Sequence, residues 1–248
     1  MQCGPYSLDL PDYHKPGETK DDLVQRSMAT LKANDQAGSI DSTENLKNAA
    51  IYLVDGTEDT TIPLIAVDAV NEVFTTEGVK SIDYVTLPIK HDWHGSKPVD
   101  GIKYIYTQLG FAPDGFNEPS DQPFAVGRME VFDQKEFVQE GWTFEETTLE
   151  ESGRAYVPNV CKTKQCNAHF IFHGCKKNET GYETNPQSLG YNEFGATNDI
   201  IMVYPNSHCW GYNGTVDDDK AFTTDGMMPK TIMSMVKRVT SSGLKESD

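Results

Sequence analysis

The residues best suited to chemistry stand at the ends of short apolar runs. Ile82 to Leu87 is one such run, and it opens into Leu87-Pro88-Ile89-Lys90-His91, with Asp92-Trp93-His94 behind. Ala49 to Val54 is another, followed by Asp55-Gly56-Thr57-Glu58-Asp59. In an open α/β sheet, functional groups lie just beyond the carboxyl ends of strands. Asp59 and His91 are therefore placed where a catalytic pair would stand. An imidazole held by a carboxylate is the general-base half of a hydrolase triad, because the carboxylate fixes the tautomer and stabilises the imidazolium formed on proton uptake. Each residue also has a plainer use: Asp59 as a turn or capping carboxylate, His91 as a surface loop histidine. Metal ligation by His91 and His94 lacks a third and fourth ligand at zinc-like spacing, so neither a metal nor a cofactor is expected.

A third run, Ala168 to Phe172, ends in His173-Gly174-Cys175, and Ile200 to Tyr204 leads into Pro205-Asn206-Ser207-His208-Cys209-Trp210. A strand ending in His-Gly suits an oxyanion site, since glycine permits a turn whose backbone N–H groups face a developing alkoxide. The ordinary alternative is a structural strand turn. The attacking hydroxyl is harder to find. No Gly-x-Ser-x-Gly occurs in the chain, and Ser7, Ser39 and Ser96 lack a strand-elbow-helix context, so no nucleophile is nominated.

The elements that must position these groups follow from periodicity. Asp21 to Leu31 suits an amphipathic helix with Leu23, Val24, Met28 and Leu31 on one side. After the Ala49 to Val54 strand, a helix is expected from near Pro63, with Ala66, Val67, Val70, Val73 and Phe74 inward and Gly78 as terminator. With the strand Ile82 to Leu87 this makes a strand-helix-strand unit and a parallel pair. Residues 111–152 are rich in Gly, Pro, Asp and Glu and read as a connecting region with short strands around Phe124 to Phe132. A helix is expected around Ser188 to Thr197. Another lies within Thr223 to Val239, where Met227, Ile232, Met233, Met235 and Val236 read as core packing. One α/β domain over 1–248 results, with an acid/base half (1–110), the connecting region (111–152) and an oxyanion-strand half (153–248).

Four blocks carry a family likeness: "FHGCKK", "GYNEFGATNDIIMVYP" and "CWGY" in the second half, and "IDSTENLKNAAIYLVDGTEDTTIP" in the first. Together they resemble the polyhydroxybutyrate depolymerase family of serine esterases, from Cys3-Gly4-Pro5-Tyr6 to Val239. The resemblance implies an α/β-hydrolase-like sheet flanked by helices. It implies Asp59 as the triad acid, His91 as the base, the Cys175 N–H as an oxyanion donor, and Trp210 with His173 at the substrate crevice. It also implies disulfides Cys161–Cys166 and Cys175–Cys209. Acid and base precede the oxyanion strand, which matches the family's circularly permuted branch. There the serine elbow lies shortly before the segment matched by "CGPYS", so this chain is expected to lack the nucleophile strand and helix. After His91 the family has a longer loop with threonine, aspartate and paired cysteines, whereas this chain runs Asp92-Trp93-His94-Gly95-Ser96-Lys97-Pro98.

Composition narrows the partners. Acidic residues outnumber basic ones 38 to 21, giving a formal net charge of −17, which repels phosphate backbones and excludes nucleic acid as an expected partner. No apolar run approaches the about 18 to 20 residues of a spanning helix, so no membrane partner is expected either. Five cysteines allow two bridges, with Cys3 the natural odd one. The acceptor triplets at Asn178 and Asn213 fit a secreted glycoprotein, although Met1-Gln2-Cys3-Gly4 begins no signal segment. The expected function is carboxylic-ester hydrolysis on an ester or polyester substrate, incomplete or inactive as given for want of a serine elbow. The alternative is a ligand-binding pseudoenzyme on the same fold, with a structural or adhesive surface protein a third possibility.

Overall fold

The computed structural model describes residues 17–91, 98–173, 189–207, 210 and 223–242. The chain divides into two compact units, Gln2–Phe116 and Asn117–Asp248.

In the first unit, α1 (Lys20–Ala37) opens on a capping box in which Thr19 and Asp22 satisfy each other's backbone N–H groups. It extends six residues beyond the amphipathic stretch in the sequence and packs on α2 (Leu64–Thr76), with Leu23 buried and Lys20 paired to Glu72 at 2.6 Å. β1 (Ala50–Gly56) and β2 (Ser81–Leu87) are parallel, as the strand-helix-strand pattern requires, with α2 between them in sequence. Their register pairs Ala50 with Ser81 and Gly56 with Leu87, so the strands end level. Ala66, Ala69 and Val70 form the buried stripe of α2. Gly78, just past that helix, takes the left-handed conformation (φ +84°) that turns the chain back toward β2. α3 (Pro98–Gln108) packs on β1, where Gly101 lies against the Tyr52 ring, and it buries Ile102 and Tyr106.

The second unit holds a mixed four-stranded sheet in the order β3-β4-β6-β5. A short helical turn, α4 (Pro123–Val126), leads into β3 (Gly127–Asp133), which pairs antiparallel with β4 (Ser152–Pro158). β4 is antiparallel to β6 (Ile200–Tyr204), and β6 is parallel to β5 (Asn167–Phe170). β6 is buried along its whole length, the condition that produces a continuous apolar strand. Ala155, Val157, Ile201 and Val203 pack together with Val239 of α6 (Met227–Ser242). Tyr156 and Tyr204 instead send buried hydroxyls to Pro123 O (2.6 Å) and Asn192 Oδ1 (2.7 Å), the latter on α5 (Tyr191–Asn198).

Two expectations need adjustment. The 111–152 stretch contains the whole of a core-sheet strand, β3, whose partner β4 begins at Ser152; Gly153 and Arg154 break the apolar pattern that would announce β4. The methionines of α6 do not share one face. Thr231, Met235 and Val239 make the buried stripe at four-residue spacing, whereas Met233 is half exposed.

Candidate active site

Asp59 and His91 come together because β1 and β2 end level and their following loops are stitched to each other. The Thr57 N–H donates to Leu87 O (2.9 Å) and the Glu58 N–H to Ile89 O (3.1 Å). Gly56 makes this possible, since a Cβ there would collide with the Ile89 carbonyl. Asp59 then folds back, its N–H donating to Gly56 O (3.0 Å).

The carboxylate is held at both oxygens. Asp59 Oδ1 accepts from the Thr61 N–H (2.7 Å) and the Ile62 N–H (2.9 Å), and Oδ2 lies 2.8 Å from His91 Nδ1. Asp59 is mostly buried, at 11% side-chain exposure, while His91 keeps 33%. Burial pushes the Asp59 carboxyl up, but the Ile62 N–H, the His91 hydrogen bond and the Thr61 N–H outweigh it, and the group sits below its ordinary value. An ionised Oδ2 accepts only, so Nδ1 bears the ring proton and Nε2 is the basic nitrogen of the neutral imidazole. That is the geometry of a carboxylate-oriented general base.

In the second unit, β5 continues past Phe170, with the Ile171 N–H donating to Val203 O (2.8 Å), and delivers Phe172 and His173 beside Trp210. The Trp210 ring meets Phe172 edge-on at 5.1 Å between centroids and His173 at 5.0 Å. Its indole N–H donates to His173 O at 2.5 Å. Trp210 has φ +51°, unusual for a bulky side chain, and Ser207 holds it there. The fully buried Ser207 hydroxyl accepts from the Trp210 N–H (2.9 Å) and donates to Thr148 O (3.0 Å). His173 Nε2 accepts the Ser207 N–H at 3.4 Å, so this imidazole is engaged in holding the turn. The result is a fixed aromatic wall.

Gln134, wholly buried, is a second organiser: its amide donates to Glu150 O and Asn206 O, and its carbonyl accepts the Asn206 N–H. Neither Ser207 nor Gln134 announces itself in the sequence. The only signal is a small hydroxyl three residues before Trp210, at the spacing of a side-chain-to-backbone turn.

Cys161 and Cys166 form a disulfide, their Cα atoms 5.6 Å apart. Cys3, Cys175, Cys209, Asn178 and Asn213, together with Gly174 and His94, lie outside the described residues.

No family model matches the chain. Two curated proteins do. The poly(3-hydroxybutyrate) depolymerase of Delftia acidovorans is 27% identical over 230 residues, covering 82% of this chain and 45% of the relative. The polyhydroxybutyrate depolymerase of Talaromyces funiculosus is 24% identical over 212 residues, covering 73% of this chain and 58% of the relative. Among solved structures, the depolymerase from Penicillium funiculosum superposes with a TM-score of 0.68 at 19% identity, covering 90% of this chain and 79% of that one. A serine-to-alanine depolymerase complexed with an R3HB trimer gives 0.71 at 20% identity, with the same coverage. This chain has the depolymerase fold. It also resembles these depolymerases in sequence, and spans about half the length of the two curated relatives, 45% and 58%.

Proposed function

We propose that this protein is a carboxylic-ester hydrolase acting on polyesters of short 3-hydroxy acids or on esters like them. The observation that carries the proposal is the 2.8 Å contact between Asp59 Oδ2 and His91 Nδ1 at the level ends of two parallel strands. The substrate class is taken from the depolymerases that the chain resembles. In this reading His91 Nε2 removes the proton from an attacking hydroxyl, and Asp59 stabilises the imidazolium. The tetrahedral alkoxide collapses and expels the alcohol, which leaves with the proton that His91 took from the attacking hydroxyl; water, deprotonated by His91 in turn, then cleaves the new acyl ester and releases the acid. Trp210, held by Ser207 and packed on Phe172, offers an apolar wall for an acyl chain, and the family resemblance supports the Cys175 N–H as an oxyanion donor. Acid and base preceding the His-Gly strand end support a circularly permuted connectivity. The Cys161–Cys166 bridge favours an oxidising, extracellular setting.

A second reading is favoured by one observation, that no Gly-x-Ser-x-Gly occurs in the 248 residues: the same fold would hold an ester without cleaving it. A fluorophosphonate probe with peptide mass mapping separates the two. The hydrolase reading expects a covalent adduct on one serine that disappears in His91→Ala. Absence of any adduct, with measurable binding of a hydroxybutyrate oligomer, favours the binding protein.

A further inference from the structure

β1 sends alternate side chains to its two faces. Tyr52 lies on the α3 side, where its ring meets Tyr104 at 6.2 Å. Leu53 and Asp55 point to the other face, and the register places Leu53 beside Tyr84 and Asp55 beside Thr86. Tyr84 is therefore the diagonal neighbour of Asp55 on the side where α2 supplies Asp68. The Tyr84 hydroxyl oxygen stands 2.9 Å from Asp68 Oδ1 and 3.2 Å from Asp55 Oδ2.

A phenol has one proton to give; shared between two carboxylates it makes two weakened bonds, whereas a proton on one of the carboxyl groups lets both contacts be full hydrogen bonds. The two acids differ in their access to water. Asp68 is exposed to water, whereas Asp55 is 2% exposed, and burial favours the neutral form of a carboxylate.

We propose that Asp55 is held in the folded protein as a neutral carboxylic acid that donates to the Tyr84 hydroxyl oxygen while Tyr84 donates to Asp68. This chain ties the end of β1 to β2 and α2, and it keeps a second negative charge from building up behind Asp59. Asp55 is thus a positioning residue for the Asp59–His91 pair, a role that rests on the hydrolase reading; its protonation does not. Opposing groups act on Asp55, and the carboxyl is raised on balance. Burial raises its carboxyl first, and the charges of Asp68 on α2 and Asp59 in the following turn add to this, against the hydrogen bonds from Tyr84 and the Gly56 N–H. Burial raises the Tyr84 hydroxyl, which faces from β2, and its hydrogen bond to Asp68 adds to this. On the opposite face, Asp100 of α3 acts on Tyr52.

Protein labelled with ¹³C at aspartate carboxyl carbons gives the test. At about pH 7, far above the ordinary aspartate value of about 3.9, one carboxyl resonance is expected at the protonated-acid position, absent from Asp55→Asn and displaced in Tyr84→Phe. All resonances at the ionised position would overturn the proposal. Denaturation midpoints supply the second readout. A carboxyl raised on folding contributes stability below its unfolded value and loses it as pH rises through the folded value. Asp55→Asn, which mimics the neutral acid, is therefore expected to gain on the parent as pH increases. A variant that instead loses most at high pH would show an ionised Asp55 and sink the idea. Both readouts need no turnover, so they stand or fall apart from the hydrolase reading.

Discussion

At the scale of single residues, the account turns on how Asp59 is held. Three donors converge on its two oxygens, so the carboxylate is favoured in the folded protein and its value lies below the usual one. The linkage then has a definite sign. Asp59 contributes stability above the unfolded value of about 3.9, and that contribution is lost as pH falls through the lower folded value. Denaturation midpoints of the parent and Asp59→Asn should therefore differ at neutral pH and converge in strong acid; a constant gap would contradict the assignment. Ser207 offers a second prediction. Ser207→Ala removes the acceptor of the Trp210 N–H and the donor to Thr148 O, and should cost roughly 1–3 kcal/mol in denaturant unfolding, with a loss of near-ultraviolet dichroism from the Trp210 ring. Asp59 and His91 were legible because strand ends announce themselves in apolar periodicity and the likeness singles out the same residues. Gln134 and the Asp55–Tyr84–Asp68 chain were not, since each depends on contacts between residues at least 16 apart in sequence; Ser207 was legible only in its local spacing to Trp210, not in its bond to Thr148 O.

At the scale of elements, the decisive fact is the register of β1 against β2. A parallel pair ending level puts two loops at one edge, and Gly56 lets them approach. Gly56→Ala forces its methyl into the Ile89 carbonyl and should destabilise the protein by about 1–3 kcal/mol. It should also lower ester turnover through misplacement of His91; a variant with parental stability and rate would show that the loops need no such contact. The β1-α2-β2 unit was readable because α2 keeps a 3.6-residue apolar stripe and the strands are short apolar runs with turn residues after them. β3 and β4 were harder. β3 carries exposed positions, including Val131, and β4 carries Gly153 and Arg154, so neither has the clean alternation that marks a half-buried strand. Their place in the sheet is decided by pairing with each other and with β6.

At the scale of the whole molecule, charge and covalent bridging set the conditions under which the fold works. A net charge of −17 makes the compact state repel itself, and salt screens that repulsion. The melting temperature should rise with moderate salt, and a fall would show that attractive ion pairs dominate instead. The Cys161–Cys166 bridge closes a small loop below β4 and β5, and reducing it should cost about 2 kcal/mol. The overall α/β character was visible in the alternation of strands and helices, while the division of the chain into two compact units between Phe116 and Asn117 has no comparably sharp mark in the sequence. The central claim is that Asp59 and His91 act as one acid–base device. It is tested most directly by initial rates of hydrolysis of a soluble 3-hydroxybutyrate ester by the parent, Asp59→Asn and His91→Ala, compared at equal folded concentration. Both variants should fall by on the order of 10²- to 10⁴-fold, and hydrolysis by His91→Ala at the parental rate would contradict the account.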